Sequence, residues 1–507
     1  MTLLWLRRLM AMVFLVAIIA GFISYDTAFS MAGGWLFNSQ FIPTILRIAE
    51  TFSLGAVLVL ALLVIGTLLF GRVYCSLLCP LGVLQDIVSR LLRLGRPGRR
   101  NSPQAVSLWR GVIAACFGLT LAAGWLHLVG VLAPYALFGK ILVFGMFPLP
   151  AFGWNGVVSL LENQGVYGLA AWSYPWHRPA GVAGILLLLA LAAGLAWKER
   201  VFCRYLCPVG FFLEKISRHS VLSVSIDTHA CTACGLCEKV CKMGAISSKR
   251  KHVDAGRCVA CFRCLTVCPH HGLTYGREQG SQERTVHAGR RKLLGYVAGL
   301  ASLTGLMRLR RTMEGTAAME APVIPPGSGS FSNLARQCVG CQRCVHVCPT
   351  GVIRPGGMRH GLAGFMLPVL DYDRQFCLYE CNRCSQVCPS GAILPVELAR
   401  KQRIQLGIAQ LDPTRCIVYA QATACGACAE HCPTQAVHMV PIPGGLLAPE
   451  VTDGICVGCG ACEHACPARP IKAIHVTAHA RHGIAQPPEA EQEPPVAESE
   501  QTEDFPF

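Results

Sequence analysis

Charge is scarce in this chain. Only 15% of its 507 residues are Asp, Glu, Lys or Arg, while 52% are hydrophobic, a balance too apolar for an ordinary soluble protein. Acids are the scarcer sign, 29 against 45 bases, for a formal charge of +16. That excess does not point to nucleic acid, because the Lys and Arg form no aromatic-studded basic face. They flank apolar segments, where the positive-inside rule places them, and no nucleic-acid partner is expected. Recognisable catalytic machinery is missing too. No glycine-rich loop opens a helix to cradle phosphate, and there is no serine nucleophile elbow or zinc-protease helix. A haem pair is also lacking, since His127 and His177 stand alone at different depths. No catalytic residue can be named, and redox chemistry by bound cofactors is the remaining account.

The apolar excess is local. Four runs, near 9–25, 52–70, 111–133 and 180–197, are long enough for a hydrocarbon core roughly 30 Å thick, which takes about 20 residues each. The stretch 135–153, interrupted by Lys140, Pro148 and Pro150, reads as re-entrant or interfacial, with a fifth span as the alternative. The loop 71–110 holds Arg72, Arg90, Arg93, Arg96, Arg99, Arg100 and Arg110 against the single acid Asp86. The opposite loops are poor in bases, so both ends of the four-span unit are expected in the cytoplasm. A quinol site could draw on His177, Trp176 or Lys140.

Cysteine is what the chain has in plenty. Of 29 cysteines, 24 fall into six groups of four. Cys231, Cys234, Cys237, Cys241 and Cys258, Cys261, Cys264, Cys268-Pro269 share the spacing C-x2-C-x2-C-x3-C, the run that binds [4Fe–4S] clusters in bacterial ferredoxins. In such pairs the fourth cysteine, expected at the start of a helix, completes the partner's cluster. One cluster is thus expected on Cys231, Cys234, Cys237 and Cys268, the other on Cys258, Cys261, Cys264 and Cys241. Lys242 stands where proline usually follows the fourth cysteine. Cys338, Cys341, Cys344, Cys348 and Cys456, Cys459, Cys462, Cys466 repeat the regular spacing. Between them, Cys377, Cys381, Cys384, Cys388 opens with three intervening residues and Cys416, Cys425, Cys428, Cys432 with eight. Structural zinc favours two C-x2-C pairs divided by a longer loop. Six groups of four, five of them ending in Cys-Pro, point instead to six [4Fe–4S] clusters.

A different pattern adjoins the membrane: Cys75-x3-Cys79-Pro80 and Cys203-x3-Cys207-Pro208. In a helix, a spacing of four puts each pair on one face, where four thiolates can meet to hold a metal or another cluster. The alternative is buried thiols at helix ends, with proline marking a break. Cys116, inside the third apolar run, reads as a small core residue.

The expected fold is multidomain: an α-helical membrane domain of four spans plus ferredoxin-like α+β [4Fe–4S] modules. Its parts are a membrane domain (1–220), a two-cluster module (221–275), a linker (276–333), a four-cluster module (334–478) and an acidic, Pro-rich disordered tail (479–507).

Residues 1–275, with apolar spans, two Cys-x3-Cys-Pro motifs and a two-cluster module, resemble the NapH-type membrane subunit of periplasmic nitrate reductase systems. From Arg290-Arg291-Lys292-Leu293-Leu294 onward, through Pro325-Pro326-Gly327 and four cluster motifs, the chain resembles the NapG or MauM-type ferredoxin partner. The whole resembles a fusion of the two. The resemblance implies an electron-transfer component, or quinol dehydrogenase, of anaerobic respiration. It would pass electrons from the membrane quinone pool to a cytochrome or reductase acceptor. By the same analogy the second module pairs its first motif with its fourth and its second with its third. Cys466 would then complete Cys338, Cys341 and Cys344, and Cys348 would complete Cys456, Cys459 and Cys462. Cys432 would complete Cys377, Cys381 and Cys384, and Cys388 would complete Cys416, Cys425 and Cys428. Read as a twin-arginine signal, the internal segment exports the second module to the periplasm with clusters in place. The expected location is the inner membrane, with cytoplasmic termini for residues 1–275. Modules on opposite faces would need a relay across the hydrocarbon, such as the membrane cysteines or a mobile quinone. The competing readings are a cytoplasmic-facing ferredoxin-linked carrier, with both modules on one face, and a membrane redox sensor or assembly factor.

Overall fold

Apolar residues without a proline carry the chain through its first helix, α1 (Thr2–Ile23), about 33 Å long at 1.5 Å per residue. This computed structural model describes residues 2–23, 36–37, 39–51, 53–92, 107–122, 126–165, 167–171, 177–277, 322–357 and 364–487. The twin-arginine-like segment, Trp176 and residues 488–507 lie outside the described residues. Next come α2 (Phe41–Thr51) and α3 (Leu54–Phe70), which pack against each other. Gly71 closes α3 at φ +77°, a conformation that suits glycine, and its N–H returns to Thr67 O at 3.0 Å. Then follow α4 (Tyr74–Leu77), α5 (Pro80–Leu92), α6 (Ser107–Ala122) and α7 (Leu126–Leu132).

Residues 134–163, part of which was expected to be re-entrant or interfacial with a fifth span as the alternative, form the longest apolar helical run described. It consists of α8 (Pro134–Lys140), a π-helical turn (Ile141–Met146) and α9 (Pro148–Asn163). The prolines are accommodated because the wider turn ends where Pro148 opens a new helix, a position whose N–H has no helical partner. Gly184 of α10 (Arg178–Trp197) lets that turn approach: a Cβ there would lie 2.5 Å from the Phe144 Cβ. Three helices, Leu3–Phe22, Pro134–Asn163 and Pro179–Trp197, are long and apolar enough to cross a membrane; Leu54–Phe70 and Trp109–Leu121 are shorter. The expectation of exactly four spans is therefore not what helix length alone gives. Cys116 is exposed on α6 rather than in the core; in an apolar helix the outward face takes small apolar side chains as readily as the inward one. After α10 come α11 (Val201–Tyr205) and α12 (Pro208–Ser217).

The cysteine-rich parts repeat one plan: motif, β-hairpin, motif. In the first module β1 (Leu222–Ile226) pairs antiparallel with β4 (Leu273–Arg277), enclosing the small hairpin β2–β3 (Ile246–Ser247, His252–Val253). The second module holds two such units. Hairpin β5–β6 (Ile353–Pro355, Pro368–Leu370) joins the motifs at 338–348 and 377–388. Hairpin β8–β9 (Val437–Pro441, Leu447–Val451) joins those at 416–432 and 456–466, framed by β7 (Ile404–Leu411) against β10 (Ile474–Ile484). Because β10 runs to Ile484 and Ala485 bonds back to Arg403 O, the fold extends past the expected boundary at 478.

The two modules dock at opposite ends of α1. Leu4, near its start, packs with Ala260 and Phe262 of the first module. Gly21, near its end, accepts bonds from Arg343 of the second, Nη2 at 2.8 Å and Nε at 3.2 Å. Seventeen residues of helix, about 25 Å, separate these contacts.

Candidate iron–sulfur centres

Three motifs place their ligands by the same local means. The third cysteine sits on a short helix, as in Leu236–Val240, Arg343–Val347 and Ala461–Ala465, and the fourth caps that helix in an extended conformation. The fourth cysteine was expected to begin a helix. In these three motifs it ends one instead; after Cys348 and Cys466 a proline disfavours helical geometry at the residue before it, whereas Cys241 is extended with Lys242 following it.

In the first module Cys231, Cys234, Cys237 and Cys268 line one cavity, and Cys241, Cys258, Cys261 and Cys264 line a second. These are the two sets expected from the ferredoxin pattern. The second module departs from expectation. Cys338, Cys341, Cys344 and Cys388 surround one cavity, and Cys416, Cys425, Cys428 and Cys466 another. Cys348 sits with Cys377, Cys381 and Cys384, and Cys432 with Cys456, Cys459 and Cys462. The expected first-with-fourth and second-with-third pairing is thus replaced by first-with-second and third-with-fourth. Each hairpin folds consecutive motifs face to face, whereas the other pairing would thread chain between units.

The surroundings suit a thiolate cluster. Sulfurs accept backbone bonds, Cys241 from Ala245 N at 3.2 Å, Cys338 from Gly340 N at 3.4 Å and Cys466 from Ala473 N at 3.4 Å. Burial, then neighbouring thiolate charge, pushes Cys258 up to about 12 and Cys428 to about 11. Such thiols ionise only with a cation beside them, which iron supplies. Among the described residues no three His, Cys, Asp or Glu side chains converge closely enough for a single metal ion.

The sets stand in a row. In the second module Cys344 neighbours Cys384, and Cys377 N bonds Cys459 O at 2.9 Å. Lys140 belongs to this row: buried, its Nζ bonds Gly130 O at 3.1 Å and lies beside Cys338 and Cys341. His177 faces Arg354, Asp371 and Arg374 of the second module, and the side chain of His127 lies outside the described residues.

Cys75, Cys79, Cys203 and Cys207 come together between the modules, all buried and within electrostatic reach of one another. Sequence reading missed the pattern around them. Arg72-Val-Tyr-Cys75-x3-Cys79-Pro-Leu-Gly82-x3-Asp86 recurs as Arg200-Val-Phe-Cys203-x3-Cys207-Pro-Val-Gly210-x3-Glu214. This 15-residue duplication was visible in the sequence. Asp86 of one copy binds Arg200 of the other, Nε to Oδ1 at 2.7 Å and Nη2 to Oδ2 at 2.9 Å. The same carboxylate meets Lys242 Nζ at 2.9 Å and Arg7 at 3.6 Å. Lys242, the departure from Cys-Pro, therefore docks the first module on the apolar domain.

Comparison with known proteins supports the cluster chemistry, without naming ligands. Family models described as "4Fe-4S dicluster domain" match residues 254–352 and, in overlapping pieces, 337–470; "4Fe-4S binding domain" models match 224–247 and, twice over, 52–99 and 180–226. The chain carries several 4Fe–4S binding domains. It is 28% identical over 197 residues to the methylamine utilization ferredoxin-type protein MauN of Paracoccus denitrificans, covering 38% of this chain and 55% of that one. It is 28% identical over 203 residues to NirI of the same organism (39% and 25% covered). It is 25% identical over 187 residues to the putative electron transport protein YccM of Escherichia coli (37% and 46% covered). The chain thus spans about half, or less, of these relatives' length. No solved structure matches.

Proposed function

We propose that this chain is a membrane-bound iron–sulfur conduit. It would take electrons from the quinone pool and deliver them, through six [4Fe–4S] clusters, to a cytochrome or reductase on the far face. Quinol gives up two electrons, and each cluster carries one at a time. The observation that carries this reading is the docking of two cluster modules at opposite ends of α1, with cysteine sets in a row within each. Residues 1–275 would keep their termini in the cytoplasm, as the arginine-rich loop 71–110 supports, and the second module would face the periplasm. The relatives' names, ferredoxin-type and electron transport, support the chemistry. A sensor needs one labile cluster rather than a row of six. The opposed docking also speaks against both modules sharing one face.

The test is redox titration in membranes. A menaquinol analogue should reduce the clusters and an added periplasmic cytochrome reoxidise them; clusters inert to quinol would sink the reading. Protease added outside spheroplasts should cut the second module and spare the first.

A further inference from the structure

We propose that Cys75, Cys79, Cys203 and Cys207 ligate a further iron–sulfur cluster, a seventh redox centre between the two modules. The site stands on its own geometry; only its role as a relay rests on the conduit reading.

Every sulfur of the quartet has its own N–H donor. Arg72 Nη2 points at Cys75 from 3.8 Å, Gln85 Nε2 at Cys203 from 3.3 Å and Gly210 N at Cys207 from 3.2 Å, while Gly82 N bonds Cys79. The same kind of bond marks the ligands Cys241, Cys338 and Cys466. The duplicated glycines make it feasible: a Cβ on Gly210 would lie 2.9 Å from Arg72 Nη2 and 3.4 Å from the Cys207 sulfur. All four cysteines are free thiols.

Charge supplies the second argument. Arg72 and Arg200 are both 0% exposed. Arg200 has Asp86, but Arg72 makes no ion pair among the described residues, and its Nε has no partner. An unpaired buried guanidinium is strongly unfavourable. Four thiolates around iron and sulfide would supply the missing negative charge. Among the described residues no three ligands converge closely enough for a single ion, which favours a cluster over one.

Position gives the centre its use. Arg200 lies beside both Cys203 and Cys261, and Arg72 beside both Cys75 and Cys258. On the other side Gln40 Nε2 bonds Leu78 O at 3.2 Å, and Phe37, three residues before Gln40, lies under the Arg343 guanidinium at 3.6 Å. One electron would arrive from the reduced cluster on Cys241, Cys258, Cys261 and Cys264. One would leave to the oxidised cluster on Cys338, Cys341, Cys344 and Cys388, with no bond made or broken.

The experiment compares the anaerobically purified full chain with the double variant Cys75→Ser/Cys203→Ser. Six cubanes hold about 24 iron atoms. The wild type should hold about 26 if the seventh centre is binuclear or about 28 if it is a cubane, with the variant falling to about 24. One Mössbauer component should vanish while the other six centres keep their signals. Equal iron and identical spectra in both proteins would overturn the proposal. Should the double variant not accumulate, Gln85→Leu tests the same claim. It removes one N–H···S bond and should shift the midpoint potential of one centre only; no shifted centre in a potentiometric titration overturns it. Iron lost as expected, with electrons still passing between modules in the variant, would leave the site standing and remove its role as relay.

Discussion

Asp86→Asn is the most informative single change in the apolar domain. The carboxylate receives Arg200 through two bonds of 2.7 and 2.9 Å, Lys242 at 2.9 Å and Arg7 at 3.6 Å, and Arg200 is 0% exposed. An amide of the same shape keeps the packing but leaves three cations facing one another. Removing one partner of a buried ion pair costs about 3–5 kcal/mol. With a urea slope of about 2 kcal/mol/M, the midpoint should fall by about 2 M. The assay follows anaerobic bleaching of the brown absorbance in urea. Lys242→Met, which leaves the Arg200–Asp86 pair intact, should cost about 1 kcal/mol, under 1 M on the same scale. In the double variant one unpaired cation is gone, so the losses should fall short of their sum by about 1–2 kcal/mol. An Asp86→Asn midpoint within about 0.3 M of wild type, on that slope, or strictly additive losses, would refute the idea that this carboxylate joins the module to the apolar domain.

Three further expectations can be checked separately. Cys388→Ser should abolish the signal of the cluster on Cys338, Cys341 and Cys344, and Cys466→Ser that on Cys416, Cys425 and Cys428; the reverse outcome would restore the first-with-fourth pairing. Arg343→Met removes bonds to Gly21 O and Val387 O at 2.8 and 3.1 Å. At about 2 kcal/mol for the charged donor, amide exchange around 338–347 should quicken roughly 30-fold. His482, held down to about 4 by burial and by the charge of His479, is neutral in the folded second module. The unfolded chain takes up its proton near pH 6.5, so this contribution is intact above that pH. It is lost as pH falls from about 6.5 to 4, by at most about 3 kcal/mol. His482→Gln should flatten the urea midpoint over that window.

Different parts of this architecture were legible in the sequence to different degrees, for physical reasons. Ligand identity was open to reading because a cluster fixes cysteine spacing within a short loop, and Cys231 to Cys241 needs no distant contact to be recognised. Pairing in the second module was hidden. Whether Cys388 or Cys466 completes the first set depends on how β5–β6 folds the chain, which no spacing encodes. Lys140 and Lys242 misled for a related reason. A lysine in an apolar stretch reads as an interruption, and a lysine after a fourth cysteine as a loosened turn. Their partners, beside Cys338 and at Asp86, come from segments far along the chain. Pro148 likewise looked like a break until the π-helical turn before it absorbed the cost.

The duplicated segment was legible and was overlooked, and it explains more than its cysteines do. Each copy brings two thiols, a leading buried arginine and one acid; Cys79 and Cys207 are bonded within their own copies by Gly82 and Gly210, but Arg200 and Cys203 find their partners in the other copy. Arg200 finds its carboxylate in Asp86 of the first copy, and Gln85 of the first copy serves Cys203 of the second. Glu214 of the second copy lies within electrostatic reach of Arg72 in the first, although its direct partner is Arg110 at 2.6 Å. Either half alone would therefore expose unpaired charge to an apolar surrounding, at a cost of several kcal/mol per ion. Facing each other, the halves cancel most of that charge and leave Arg72 directed at the sulfurs. The apolar domain is thus held together by the same contacts that shape the quartet. A substitution that separates the halves should cost stability and the seventh centre together, whereas Gln85→Leu should touch only the centre.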